Sequence, residues 1–303
     1  MLLLATIFWS LSFPVMKALM SEQQRLVLEA GTWFLTFLTV FYRFGAAALV
    51  LALLLRGDIR KISRLEVEQG LVLAFFGAGG IMFQLDGLAY TSASTSAFLT
   101  QTHLVFLVLW VTWRQRRRPA TKTLCSVGLV LVGVAVLARI DFTAIRLGRG
   151  EIETMIAAVM FAGGIICLDH PRYVGNKSLS FSLVMFAGMA ALALPGLWLT
   201  APSIAAVRQA YASPGAVMLL ATLVFACTLG GYLLMNRWQR LVPATEAGVI
   251  YSVEPVLASL LALFLPAWIS VVMKLDYPNE VLTTPLVIGG GLITAANLLL
   301  QKR

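Results

Sequence analysis

Apolar residues recur along this chain in runs of about 17–25, enough for a helix to cross a hydrocarbon core. Short joints carrying charge, glycine or proline separate the runs. The pattern predicts ten helical spans, near 2–20, 31–55, 67–90, 93–114, 122–138, 151–169, 178–200, 214–240, 243–265 and 281–300. No soluble domain and no low-complexity segment interrupts them. The first run starts at Leu2 with no basic stretch before it and no small-residue cleavage site after it. It therefore reads as a retained helix rather than a removed signal peptide.

Composition agrees with the pattern. Of the 303 residues, 59% are hydrophobic and 12% charged, and mean hydropathy is +0.87. A soluble domain carries roughly 25% charged residues, so this chain could not be wetted as a globule. The expected class is an all-α polytopic membrane protein. Net charge is +9, but the basic residues occupy the joints between spans. Orientation and lipid headgroups explain them there, and no nucleic-acid partner is expected.

With the N-terminus inside, the cytoplasmic joints hold Arg56, Arg60, Lys61, Arg64, Arg114, Arg116, Arg117, Arg118, Lys122, Arg172, Lys177, Arg237, Arg240, Lys302 and Arg303. The opposite side holds Lys17, Arg25, Arg139, Arg146, Arg149, Arg208 and Lys274. Fifteen against seven predicts that both termini are cytoplasmic.

The chain also resembles itself. A slide of 151 residues lays Gly79-Gly80 on Gly230-Gly231, Ala93 on Ala244, His103 on Glu254 and Val105 on Val256. Ala5 through Lys17 can be laid on Ala157 through Asp169, and Phe44 through Leu49 echoes Ala187 through Leu192. Five crossings per half is an odd number, so the second half must enter from the other side. The expected architecture is two inverted five-helix repeats, 1–149 and 150–303.

Ionisable residues at membrane depth mark function by default. His103 and Glu254 each lie about 15 Å from the ends of their spans at 1.5 Å per residue. Each should face a polar cavity or the other, and either could couple protons to substrate movement. A packing hydrogen bond between helices is the alternative for both. Pro255 removes a backbone donor and should free a carbonyl near Tyr251. Arg43 is too deep to reach the cytoplasmic surface and needs an acid, carbonyls or an anionic substrate group. Asp86 is its expected protein partner.

Gln84, Tyr232, Tyr251 and Asn236 could bond a substrate or a neighbouring helix, and Trp9 could stack on a ligand or fill space. Lys17 reads as an interfacial anchor, Glu246 as a helix cap, and Trp110, Trp113, Trp198 and Trp238 as belt residues. The glycine pairs read as sites of close helix approach. Cys125, Cys167 and Cys227 lie in apolar spans without paired spacing, so neither a disulfide nor a metal site is expected, and no cofactor motif is present.

Several motifs carry a family resemblance. The first span reads Trp9-Ser-Leu-Ser-Phe13-Pro-Val-Met-Lys17; the second carries Tyr42-Arg43-Phe44; Gly87-Leu-Ala-Tyr90-Thr-Ser-Ala-Ser94 follows the third. The ninth holds Pro243-Ala-Thr-Glu-Ala247 and Val253-Glu254-Pro255-Val256. In order and spacing these resemble the EamA-type transporters of the drug/metabolite transporter superfamily, over essentially the whole chain. The resemblance implies ten helices in two inverted repeats around a central cavity, and secondary transport, often export, of small metabolites across the bacterial inner membrane. Two positions depart from it. Leu104 stands where members often have proline, so no kink is expected in the fourth helix. Leu265-Pro266-Ala267-Trp268 replaces a glycine-glutamate pair.

The leading functional expectation is therefore a carrier for a small molecule, with a zwitterion such as an amino acid suiting Arg43, Glu254 and His103 together. A pore or sensor without active transport is the alternative. A membrane enzyme is disfavoured, since His103 and His170 are the only histidines and no nucleophile or metal constellation accompanies them. Nothing in the chain fixes an oligomeric state.

Overall fold

The structure is a computed structural model, and it describes residues 1–114, 121–137, 147–242, 244–274 and 276–301. Expectations for Arg116, Arg117, Arg118, Arg139, Arg146, Lys302, Arg303 and the side chain of Glu246 lie outside the described residues. Among those described, every regular element is a helix. Hydrocarbon offers no water to an unpaired backbone group, which leaves helices as the local solution for runs this apolar.

The first half holds α1 (Leu2–Leu26), α2 (Thr32–Leu54), α3 (Arg64–Gly87), α4 (Ala93–Thr100), α5 (His103–Arg114) and α6 (Thr121–Leu137). The second holds α7 (Arg149–Leu168), α8 (Ser178–Thr200), the short α9 (Ile204–Gln209) and α10 (Pro214–Thr222). A π-helical stretch, Leu223–Gly230, joins α10 to α11 (Gly231–Trp238). Then come α12 (Ala244–Tyr251), α13 (Glu254–Ala262), α14 (Leu265–Met273) and α15 (Thr284–Gln301). Seven helical stretches are long and apolar enough to cross a membrane, and the pair α13–α14, bent by 48°, makes eight. Leu124–Val136 and Thr284–Leu299 are apolar but shorter. The chain is thus a polytopic helical membrane protein.

Helix α2 lies along α8, α6 along α15, and α3 between α7 and α8. Helix α1 crosses α10, the π stretch, α11 and α13. At one end of the bundle, Ser63 and Glu66 form a capping box on α3, and the second Glu66 oxygen accepts from the Lys177 N–H at 2.8 Å. Glu68 there binds Arg172 at 2.7 Å and the Tyr173 hydroxyl at 2.8 Å. Burial and the Glu68 carboxylate push that hydroxyl up to about 12, so it stays a donor.

A second polar network closes the other end. Arg149 pairs with Asp86, with Glu153 at 2.8 Å and with the Tyr90 hydroxyl at 2.7 Å. Asp86 is therefore Arg149's partner and not Arg43's, as the sequence suggested. It is the penultimate residue of α3, where the start of α7 packs. Lys17 also departs from expectation. It turns inward and donates to the Thr91 carbonyl instead of anchoring at an interface. Glu280 accepts from the N–H groups of Ala93 (2.6 Å) and Ser94 (3.3 Å), placing a carboxylate at the positive end of α4.

The two helix breaks obey the internal offset. Helices α4 and α12 each run eight residues, and adding 151 to the bounds of α4 gives those of α12. The interruptions at 101–102 and 252–253 match likewise, so His103 and Glu254 each open the following helix.

Candidate functional site

The break after α4 forms without proline, contrary to the expectation from Leu104. Around it the backbone turns tight: Gln101 N–H bonds Phe98 C=O, Thr102 N–H bonds Leu99 C=O, and Leu104 N–H bonds Gln101 C=O, at 3.0–3.1 Å. Leu104 thereby gives up the Thr100 carbonyl it would bond in an α-helix, and His103 Nδ1 takes that carbonyl at 2.9 Å. A carbonyl only accepts, so Nδ1 carries the hydrogen in the neutral ring. Nε2 is left as an acceptor, buried and without a partner among the described residues.

The second break has the expected cause. Pro255 supplies no N–H, and the Tyr251 carbonyl is taken from outside its helix by Gln101 Nε2 at 3.1 Å. The same nitrogen lies 3.3 Å from Glu254 Oε2. Ser10 on α1 donates to the Glu254 carbonyl at 3.1 Å.

Between these breaks lies a cavity of about 90 Å³. Seven of the eight residues singled out from sequence line it: Trp9, Arg43, Gln84, His103, Tyr232, Tyr251 and Glu254. Most of the remaining wall is apolar, including Phe13, Phe76, Phe161 and Met185. Asn236 is the exception. Its amide donates to Ser182 Oγ at 2.8 Å beside Met185 Sδ, so it ties α11 to α8 behind the wall. Tyr251 contributes ring surface only, because its hydroxyl donates to Gln239 at 3.0 Å. Gln84 donates to Thr100 Oγ1 at 3.0 Å.

Arg43 is 1% exposed. Its Nε donates to Thr228 Oγ1 at 2.7 Å, Nη1 lies 3.3 Å from Met16 Sδ, and Phe44 presents its ring at 5.2 Å. Among the described residues no carboxylate reaches ion-pair distance of its guanidinium. An Arg charge cannot be discharged by losing a proton, so a buried guanidinium on a cavity wall needs compensation from carbonyls, an acid or an anion. The π-helical stretch supplies Thr228, and such widened turns recur at functional sites.

Aromatic walls repeat across the halves. The Trp9 indole packs on Gly231 and Phe8 on Gly230, while Phe161 packs on Gly80 and Met160 on Gly79. The glycine pairs therefore seat rings and thioethers from the partner helix, a more specific role than general helix approach. Trp9 also meets Tyr232 and Tyr251 edge-on at 5.6 and 5.4 Å, and its Nε1 has no hydrogen-bond partner among the described residues.

Sequence reasoning missed Gln101, Thr100 and Phe161. Gln101 sits two residues before His103, and the 151-residue slide places it opposite Ser252, just before Glu254. That offset was the available signal. Among the described residues no group of His, Cys, Asp and Glu is arranged to hold a metal.

A helical membrane bundle enclosing a polar-edged cavity at its helix breaks suits a membrane transporter. A family model described as "EamA-like transporter family" matches residues 1–139 and 148–275, and the chain belongs to that family. It is also 24% identical over 307 residues to a protein of Archaeoglobus fulgidus named "Uncharacterized transporter", covering 100% of this chain and 85% of the relative. A solved structure titled "Crystal structure of protein" shares the fold with a TM-score of 0.58 at 15% identity, covering 98% of this chain and 96% of its own.

Proposed function

We propose that the protein is a secondary transporter that moves a small metabolite bearing an anionic group, by alternating access of the central cavity to the two sides of the membrane. The observation that carries this reading is Arg43, buried on the cavity wall with no carboxylate at ion-pair distance among the described residues, in a cavity shared with His103 and Glu254 at the helix breaks. An amino acid-like zwitterion suits the set, its carboxylate on Arg43 and its cationic group toward Glu254 and the His103 Nε2 lone pair. Glu254 and His103 are the groups through which protons couple to movement.

The proposed architecture is ten crossings in two inverted five-helix repeats, 1–149 and 150–303, in the cytoplasmic membrane with both termini inside. The matched breaks and the paired packing of α2 on α8 and α6 on α15 support it, since counterparts meeting each other is what a two-fold axis in the membrane plane produces. A cavity of about 90 Å³ leaves room for several waters or part of a small molecule. A larger cargo needs the walls to part, as a rocking carrier's do. Export is the favoured direction.

The test is a thermal-shift screen of purified protein against small carboxylates and zwitterions, followed by counterflow of any stabilising compound in proteoliposomes. Saturable exchange that requires substrate on both sides supports the carrier. Unsaturable flux with ion current in planar bilayers would establish the pore alternative.

A further inference from the structure

We infer that Gln101 is the positioning residue that ties the two helix breaks together and follows the protonation of Glu254. The inference rests on the carrier reading for its consequence, though not for its chemistry.

Two acceptors in the second break take no donor from their own helix: the Tyr251 carbonyl, which Pro255 frees, and the Glu254 carboxylate. Gln101 Nε2 faces both, at 3.1 and 3.3 Å. A primary amide nitrogen has two hydrogens, one for each acceptor. The side chain is fully buried, and it comes from the opposite half of the chain, 150 residues from Tyr251 and 153 from Glu254. Its own oxygen, Oε1, is buried and has no hydrogen-bond partner among the described residues. Such an orphan acceptor is costly unless some state of the protein uses it.

Glu254 supplies that state. An ionised carboxylate only accepts and is served by Nε2. A protonated carboxyl has an O–H to donate, and half a turn of the Gln101 amide presents Oε1 to receive it. The same rotation withdraws Nε2 from the Tyr251 carbonyl. Proton arrival at one break is thus reported to the other, two residues before His103. Leucine offers neither donor nor acceptor, and glutamate of the same shape offers no donor when ionised.

Other groups face this point. The ionisable ones are His103 on α5, Arg43 on α2, Tyr232 on α11 and Tyr251 on α12, and all four line the cavity with Glu254. Helix α1 brings Ser10 and Trp9, neither of which ionises. Helix α4, packed on α13, ends at Thr100, whose hydroxyl donates to Ser96 C=O at 2.8 Å.

Infrared difference spectra of the purified full-length protein, taken between acidic and alkaline buffer, test the tie directly. The wild type should show one buried carboxyl band that Glu254→Gln removes. Gln101→Leu should displace that band, and the isosteric Gln101→Glu should replace it with a coupled pair. In proteoliposomes, both Gln101 variants should lower accumulation driven by a pH gradient at least about tenfold, the loss of one charge-assisted hydrogen bond. A band that Gln101→Leu leaves in place overturns the proposal, as does the absence of any band assignable to Glu254. Should no pH gradient drive uptake in the wild type, proton coupling fails as a function, and the spectra still decide whether the tie exists.

Discussion

Trp9 rests its indole on Gly231, where an added Cβ would lie 2.5 Å from Nε1. Phe161 rests on Gly80 in the corresponding place of the other half, with equally little room. Each glycine thus sets how deep an aromatic wall can sit against its partner helix. Gly231→Ala and Gly80→Ala should each force a ring into the cavity at a cost of about 1–3 kcal/mol, typical of overpacking. Both should lower the melting temperature in detergent and weaken binding of any compound found by thermal shift. If either variant bound and melted as the wild type does, the ring would not be wedged as described.

Arg43 offers a sharper test of the cargo's charge. Its Nε is committed to Thr228 and its Nη1 donates to the weak acceptor Met16 Sδ, which leaves Nη2 for a ligand. Arg43→Met should weaken binding of an anionic compound roughly 10–100-fold, the worth of about 1.5–3 kcal/mol in hydrogen bonds to a charged group. Arg43→Lys should restore little, because an ammonium cannot hold Thr228 and an anion in the same planar fork. Isothermal titration of the three proteins reads this. Equal affinities would place the anion elsewhere.

Glu254→Gln keeps size and shape while removing the charge and the proton site. Exchange of substrate between equal pools requires no net proton movement and should continue, at a higher half-saturating concentration because the cationic group loses its charged partner. Accumulation driven by a pH gradient should vanish, and the pH dependence of uptake should flatten. A Glu254→Gln protein that still concentrates substrate with the wild-type pH profile would remove Glu254 from coupling.

At the end of the bundle holding Lys17 and Glu280, Asp86 is fully buried and depends on Arg149. Arg149→Ala strands that carboxylate. The arginine is about half exposed, so the expected loss is toward the low end of the about 1–3 kcal/mol for an unsatisfied buried group. Adding Asp86→Asn should recover part of the loss, which a double-mutant cycle on thermal stability would measure. Additive losses would mean that the pair does not hold α3 to α7.

Much of this protein was legible in its sequence. Run length and charge density impose helices across a membrane, because a chain this apolar has no other way to satisfy its backbone in hydrocarbon. The self-similarity at 151 residues also marked His103 and Glu254 together, and Pro255 predicted a freed carbonyl at Tyr251 without any coordinates. These are properties of single segments and their spacing, which a linear string records.

Partnerships were decided by the tertiary structure alone. Sequence offered Asp86 to Arg43 by depth, and packing gave it to Arg149. It left Asn236 open between a substrate and a neighbouring helix, and packing gave it to Ser182 behind the wall. The fourth helix breaks without a proline because His103 takes the Thr100 carbonyl, and Gln101 became visible only when the two breaks met. Depth along a helix follows from counting residues. Which side chain meets which depends on rotation and approach of helices far apart in the chain, and only the packed fold sets those.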